Sequence, residues 1–211
     1  MKKLFLTSTG LPKETRNYFL KLLDKDPKIT TVAFIPTAAD PEEDKWFVNS
    51  AIDEILEIGM KIVELDLKKE NKESLNSKLA NCDVIYVNGG NTFYLMDWVR
   101  KSGFDQVITK LINEGKIYVG VSAGSIIPGP NIEVAGWGDG DKNIVNLTDF
   151  KGLNLVNFAV SPHFVESDRK LLLQMSKKVD YPIAALNNLQ AVMIVNEKIE
   201  IVGSGEKIFL I

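Results

Sequence analysis

Short apolar runs rich in β-branched residues, each ending in Gly, Pro, Asn or Thr, alternate along this chain with longer segments of helical period. Runs without polar alternation belong to strands covered on both faces, and strand–helix–strand repetition builds a parallel sheet with helices on either side. The strand candidates are Leu4–Thr7, Thr31–Ile35, Lys61–Leu65, Val84–Val87, Ile117–Val121, Phe158–Val160, Ile183–Ala185, Ala191–Val195 and Lys198–Val202. The last two flank Asn196-Glu197 and read as a closing hairpin. Helical spacing falls at about Pro12–Leu23, Asp40–Ile58, Asn71–Leu79, Asn91–Ser102, Phe104–Glu114, Ala123–Ile127 and Ser167–Lys177, as in the stripe Leu95, Trp98 and Val99. The expectation is an α/β fold: a doubly wound, mostly parallel sheet with helices on both faces and ligands at the carboxyl ends of its strands.

At 211 residues the chain suits one domain, spanning 1–211. Pro128 to Leu155 breaks the rhythm: it holds Gly129, Pro130, Gly136, Gly138, Gly140 and Gly152 and has no sustained period. Long irregular segments inside a compact domain are usually functional or mobile. Charged residues make up 25% and the formal net charge is −3, with no basic stripe, so no nucleic-acid partner is expected. No apolar stretch approaches the length of a bilayer crossing and no signal-peptide pattern follows Met1, so the reading is a cytoplasmic chain with no membrane partner. One cysteine, Cys82, and one histidine, His163, exclude an internal disulfide and a Cys/His zinc site; neither metal nor cofactor is expected.

The chemistry concentrates after the fifth strand, where Gly120-Val121-Ser122-Ala123-Gly124-Ser125 is a strand running into Gly-x-Ser-x-Gly and then a short helix. Such a turn needs small neighbours and lifts the central hydroxyl out of the sheet, making Ser122 the candidate nucleophile. Ser125 falls on the helical side and reads better as a helix-start hydroxyl. A serine requires a base, and His163, in Val160-Ser161-Pro162-His163-Phe164, leaves a strand end of the same kind. Oxyanion donors are expected from the Ala123 N–H and from the paired glycines of Asn88-Gly89-Gly90-Asn91-Thr92-Phe93, a second strand-to-helix junction that also reads as a plain turn and helix cap. Asn91 and Thr92 beside those glycines are candidate substrate contacts. For the carboxylate that orients His163, Asp141, Asp139, Glu133 and Asp149 all lie between the serine and the histidine, and composition does not choose among them.

Asn88-Gly-Gly-Asn-Thr-Phe, Gly120-Val-Ser-Ala-Gly-Ser and Ser161-Pro-His-Phe, in this order, resemble the peptidase E type of the S51 serine peptidases, the aspartyl dipeptidases, a family that also includes cyanophycinase. The resemblance runs from about Leu4 to Val195. It implies a sheet related to the class I glutamine amidotransferases, with serine in place of their cysteine. By that resemblance Ser122 is the nucleophile, His163 the base, Gly90 and Ala123 the oxyanion amides, and Asp141 the acid. A second acidic position discussed for such triads is occupied here by Asn188. The implied activity is exopeptidase cleavage of short peptides with an N-terminal aspartate, read by an arginine after the histidine motif; Asp168 aligns there, with Arg169 beside it.

Two other readings fit parts of the pattern. An esterase of the α/β-hydrolase type shares the order Ser, acid, His, although 211 residues is short for one and Asn88-Gly-Gly-Asn is not the His-Gly-Gly oxyanion loop. A non-catalytic member that binds a small ligand is the other. Trp46-Phe47 and the Trp137 loop are candidates for a homodimer contact, or for core or lid packing.

Overall fold

The apolar runs are strands because each is packed on both sides. The computed structural model describes residues 1–211. In chain order its elements are β1 (Lys3–Thr7), α1 (Lys13–Leu20), β2 (Thr31–Ile35), α2 (Trp46–Glu57), β3 (Lys61–Glu64), α3 (Lys72–Ala80), β4 (Val84–Val87), α4 (Thr92–Ser102) and α5 (Phe104–Asn113). There follow β5 (Ile117–Val121), α6 (Ala123–Ile126), β6 (Ala159–Ser161), α7 (Arg169–Ser176), β7 (Ile183–Ala185), β8 (Gln190–Val195), β9 (Lys198–Gly203) and β10 (Ile208–Leu210). Period-two alternation sends Leu4 and Leu6 of β1, and Ile85 and Val87 of β4, into one core with α3, α4, α5 and α6. Phe5, Val84 and Tyr86 go to the other, under α1 and α2. Helix α5 shows how the period does this: Phe104, Val107, Ile108, Leu111 and Ile112 fall on one stripe and all are buried, each contributing about 1.5–3 kcal/mol.

The main sheet has seven strands in the order β3-β2-β4-β5-β1-β8-β9. The first five are mutually parallel, while β8 runs antiparallel to β1 and pairs with β9 as the expected hairpin. This is the α/β, mostly parallel sheet with helices on both faces that the sequence predicts. No helix is long and apolar enough to cross a membrane.

Three differences matter for the site. Strands β6 and β7 do not join the main sheet; they pair in parallel in a second, three-stranded sheet with β10, a strand the sequence pattern does not single out. Helix α2 begins at Trp46 rather than Asp40, because the Asp44 carboxylate accepts the Trp46 N–H at 3.0 Å and turns the preceding polar stretch away from the helix. The segment 128–155 is irregular as expected, yet it is anchored by an Asn131–Lys151 bridge and buries Ile132, Val134 and Leu155.

Strand β5 lies between β4 and β1, and the short helix after it is wedged against β4. A Cβ added at Gly124 would sit 2.1 Å from the Val87 carbonyl oxygen. That oxygen belongs to the backbone of β4, which cannot swing aside as a flexible side chain could, so Gly124→Ala is expected to lower unfolding free energy by about 2 kcal/mol or more. Urea midpoints check this; a loss under about 0.5 kcal/mol would mean that the helix is free to shift.

Candidate active site

Ser122 leaves β5 with φ 48° and ψ −110°. A residue with a side chain adopts such left-handed backbone only where its surroundings impose it. Here the Ser122 N–H donates to the Thr7 carbonyl at 3.0 Å, and the Ser122 carbonyl accepts the Ser125 N–H at 2.8 Å and the Ile126 N–H at 3.1 Å. The Ser125 hydroxyl donates to that same carbonyl at 2.7 Å and is fully buried, which gives the second serine its role in the turn. Below, the Tyr118 hydroxyl donates to the Gly124 carbonyl at 2.7 Å.

His163 arrives from the small sheet. The β6–β7 pairing continues beyond the strands, with Leu186 N–H donating to Ser161 O and Phe164 N–H to Leu186 O, both at 2.9 Å. This extension carries His163, itself at φ 60°, up to Asn188. His163 Nε2 lies 2.9 Å from Ser122 Oγ, and Nδ1 lies 2.8 Å from Asn188 Oδ1. An amide oxygen only accepts, so Nδ1 carries the proton and Nε2 is left to accept from the serine hydroxyl. The loop after β1 fixes the amide: Ser8 Oγ accepts the His163 N–H at 2.7 Å and donates to Asn188 Oδ1 at 3.1 Å, while Thr9 Oγ1 donates to the Asn188 carbonyl at 2.7 Å.

Asp141 therefore does not occupy the position on Nδ1; Asn188 does. The Asp141 carboxylate accepts the Thr92 N–H at 2.7 Å, at the start of α4, where unpaired N–H groups and the helix dipole favour negative charge. Burial pushes its pKa up, while hydrogen bonding from Thr92 and the nearby His163 pull it down less strongly. Asn91 caps the same helix through the Tyr94 N–H and holds the incoming loop by donating to the Lys142 carbonyl, each at 2.9 Å. Asn91 and Thr92 thus anchor the Asp141 loop and line neither cleft. Arg169 also stands outside: it is held by Glu166 and by Glu206, each at 2.6 Å. Glu133 accepts from the Tyr181 hydroxyl at 2.7 Å and Asp149 pairs with Arg100 at 3.6 Å, which removes both as partners of His163.

Two clefts of about 460 and 570 Å³ open on either side, with Ser122, His163 and Asp141 in the walls of both. Gly90 lines the first at φ 133°, where an added Cβ would lie 2.1 Å from the Ala38 carbonyl oxygen. Its N–H and that of Ala123 donate to no acceptor within the protein, which leaves them available to an oxyanion. No group of three His, Cys, Asp or Glu side chains is placed to hold a metal ion. Sequence reasoning misses Ser8 and Thr9; the signal was their place at the carboxyl end of β1, the edge where ligands gather.

The description "Peptidase family S51" belongs to the family model that matches residues 4–202. An uncharacterized peptidase of Pasteurella multocida (strain Pm70) is 38% identical, over 93% of this chain and 95% of its own. An uncharacterized peptidase of Listeria monocytogenes (strain EGD-e) is 37% identical, over 87% and 91%. A crystal structure of a candidate peptidase E from Listeria monocytogenes EGD-e superposes with a TM-score of 0.84 at 33% identity, covering 97% of this chain and all of that one.

Because burial raises the Asp141 pKa, the folded chain holds this proton more tightly than the unfolded chain does. Its contribution to stability is fully present below the unfolded value, near the ordinary 3.8, and is lost as pH rises through the raised folded value. Asp141→Asn keeps an acceptor for the Thr92 N–H without the charge. It is expected to be more stable than the parent at about pH 7 and to lose that advantage by about pH 4, read from urea midpoints. Equal midpoints at neutral pH would mean that the His163 side offsets the burial.

Proposed function

The chain belongs to peptidase family S51, and from that premise we propose that it is a serine-type peptidase cleaving short peptides through an acyl-enzyme on Ser122. The observation that carries this reading is the continuous line Ser122 Oγ, His163 Nε2, His163 Nδ1, Asn188 Oδ1, at 2.9 and 2.8 Å. In it Ser122 Oγ attacks the peptide carbonyl as His163 Nε2 takes its proton, and Asn188 holds the imidazole in the tautomer that can do so. The Gly90 and Ala123 N–H groups receive the oxyanion. His163 then returns the proton to the leaving amine, and a water activated by the same nitrogen hydrolyses the ester.

An amide in the orienting position aligns the imidazole but supplies no full negative charge to the imidazolium. Asp141, on the walls of both clefts, supplies that charge from outside the hydrogen-bonded line. This division of labour accounts for a carboxylate kept half-buried beside the pair without bonding to it.

A fluorophosphonate probe followed by peptide mass mapping is expected to label Ser122 and to leave Ser122→Ala unlabelled. In a mixture of short peptides read by mass spectrometry, Ser122→Ala should lose at least about 10⁴-fold in rate. Asn188→Ala should lower kcat by about 10²-fold with KM nearly unchanged, while Asn188→Asp stays within about tenfold of the parent. An unlabelled Ser122 in folded protein would remove the acyl-enzyme, and an Asn188→Ala rate equal to the parent's would remove the orienting role.

A further inference from the structure

The walls around the Ser122–His163 pair carry charge of one sign. The chain has 25 Lys and Arg against 28 Asp and Glu, a near balance, yet no Lys or Arg lines either cleft. Glu42 and Glu54 stand in the first, Asp139 and Asp168 in the second, and Asp141 in both. Arg169, the cation nearest the histidine motif in sequence, is engaged by Glu166 and Glu206.

The first cleft is built to present this charge. Helix α2 turns Trp46, Phe47 and Glu54 toward it. Glu54 is set firmly, its Oε2 accepting the Leu11 N–H at 2.6 Å and packing where a Cβ on Gly10 would lie at 2.1 Å. Neither Glu42 nor Glu54 is neutralised by an ion pair within the protein. Trp46 leaves 67% of its surface exposed beside them, and an indole face attracts a cation. A second feature independently points to a ligand. Asn88 lines this cleft next to the oxyanion glycines, is 1% exposed, and its Nδ2 has no hydrogen-bond partner. A donor so buried requires an acceptor, which a peptide carbonyl seated in the cleft supplies.

We propose that the first cleft takes a positively charged group, so that the enzyme prefers peptides with a basic residue on the acyl side of the scissile bond and rejects an acidic one there. This rests on the peptidase reading and reverses the aspartate preference that the sequence resemblance implies. An aspartate side chain would enter a cleft walled by carboxylates with no cation to meet it, and like-charge juxtaposition discriminates strongly against such a partner. A lysine side chain entering the same cleft finds Glu42, Glu54 and Trp46 among its walls.

The test uses three tripeptide amides that differ only in the first residue: Lys-Ala-Ala-NH2, Ala-Ala-Ala-NH2 and Asp-Ala-Ala-NH2. Amidation removes the terminal carboxylate. Calorimetric binding to Ser122→Ala is expected to follow Lys over Ala over Asp, with at least about tenfold between first and last, narrowing in high salt. A double substitution on that background, Glu42→Gln with Glu54→Gln, keeps an amide oxygen to accept the Leu11 N–H and should shrink the spread to about threefold or less. The same order is expected in kcat/KM for the unsubstituted enzyme. The inference is overturned if the aspartate peptide binds as well as the lysine one, if none of the three binds, or if the lysine preference survives the double substitution. Lysine-selective binding without hydrolysis of any peptide would sustain the charged cleft and sink the peptidase reading. Hydrolysis that favours aspartate would do the reverse.

Discussion

The backbone turn at Ser122 is the constraint on which the rest of the site depends. Its φ of 48° is held against a cost of about 1–3 kcal/mol by a strand in the middle of the sheet, three donors on one carbonyl, and a helix start pressed against β4. Nothing at this turn is free to relax, because its neighbours are backbone groups of β4 and β1 and the fully buried Tyr118. The hydroxyl is thereby fixed before any substrate arrives, and everything else is arranged to meet it. Preorganisation of this kind is what gives a positioned hydrogen bond its catalytic worth.

The second party comes from a different sheet. The main sheet supplies Ser122, Gly90 and the Ser8–Thr9 loop, and the small sheet supplies His163 and Asn188 from adjacent ends of β6 and β7. Ser8 joins the two, receiving the His163 backbone N–H and donating to the Asn188 amide. The Ser122–His163 pair therefore reports on the docking of one sheet against another. The irregular segment 128–155, which carries Asp141, packs its apolar residues into the same core as α4 and α6 and so ties that docking to the larger hydrophobic cluster.

What can be read from the chain is what is local. The Gly-x-Ser-x-Gly turn, the paired glycines after β4 and most strands are written in neighbouring residues, and they lie where the pattern puts them. His163 is legible for a different reason, since no other histidine competes with it. Asn188 is visible only as a departure from an acidic pattern; its place on Nδ1 follows from the continued β6–β7 pairing and from Ser8, 180 residues away. Arg169 misleads for the same reason. Adjacency suggests a substrate contact, but Glu206, 37 residues further on, turns its guanidinium away. The separation of β6, β7 and β10 into their own sheet is likewise a matter of pairing, which periodicity does not encode.

The neutral partner of His163 bears on how such a site changes over generations. Asparagine and aspartate have nearly the same shape, and their codons differ by a single nucleotide. The imidazole is oriented by a hydrogen bond at an exposed position, where a carboxylate in place of the amide would stay solvated, so the scaffold around 188 has no buried ion to compensate with either side chain. The geometry of the imidazole and the charge beside it are then inherited separately: one is written in the meeting of two sheets, the other in one atom of one side chain. Selection can change the charge beside this histidine without moving the framework that aims it.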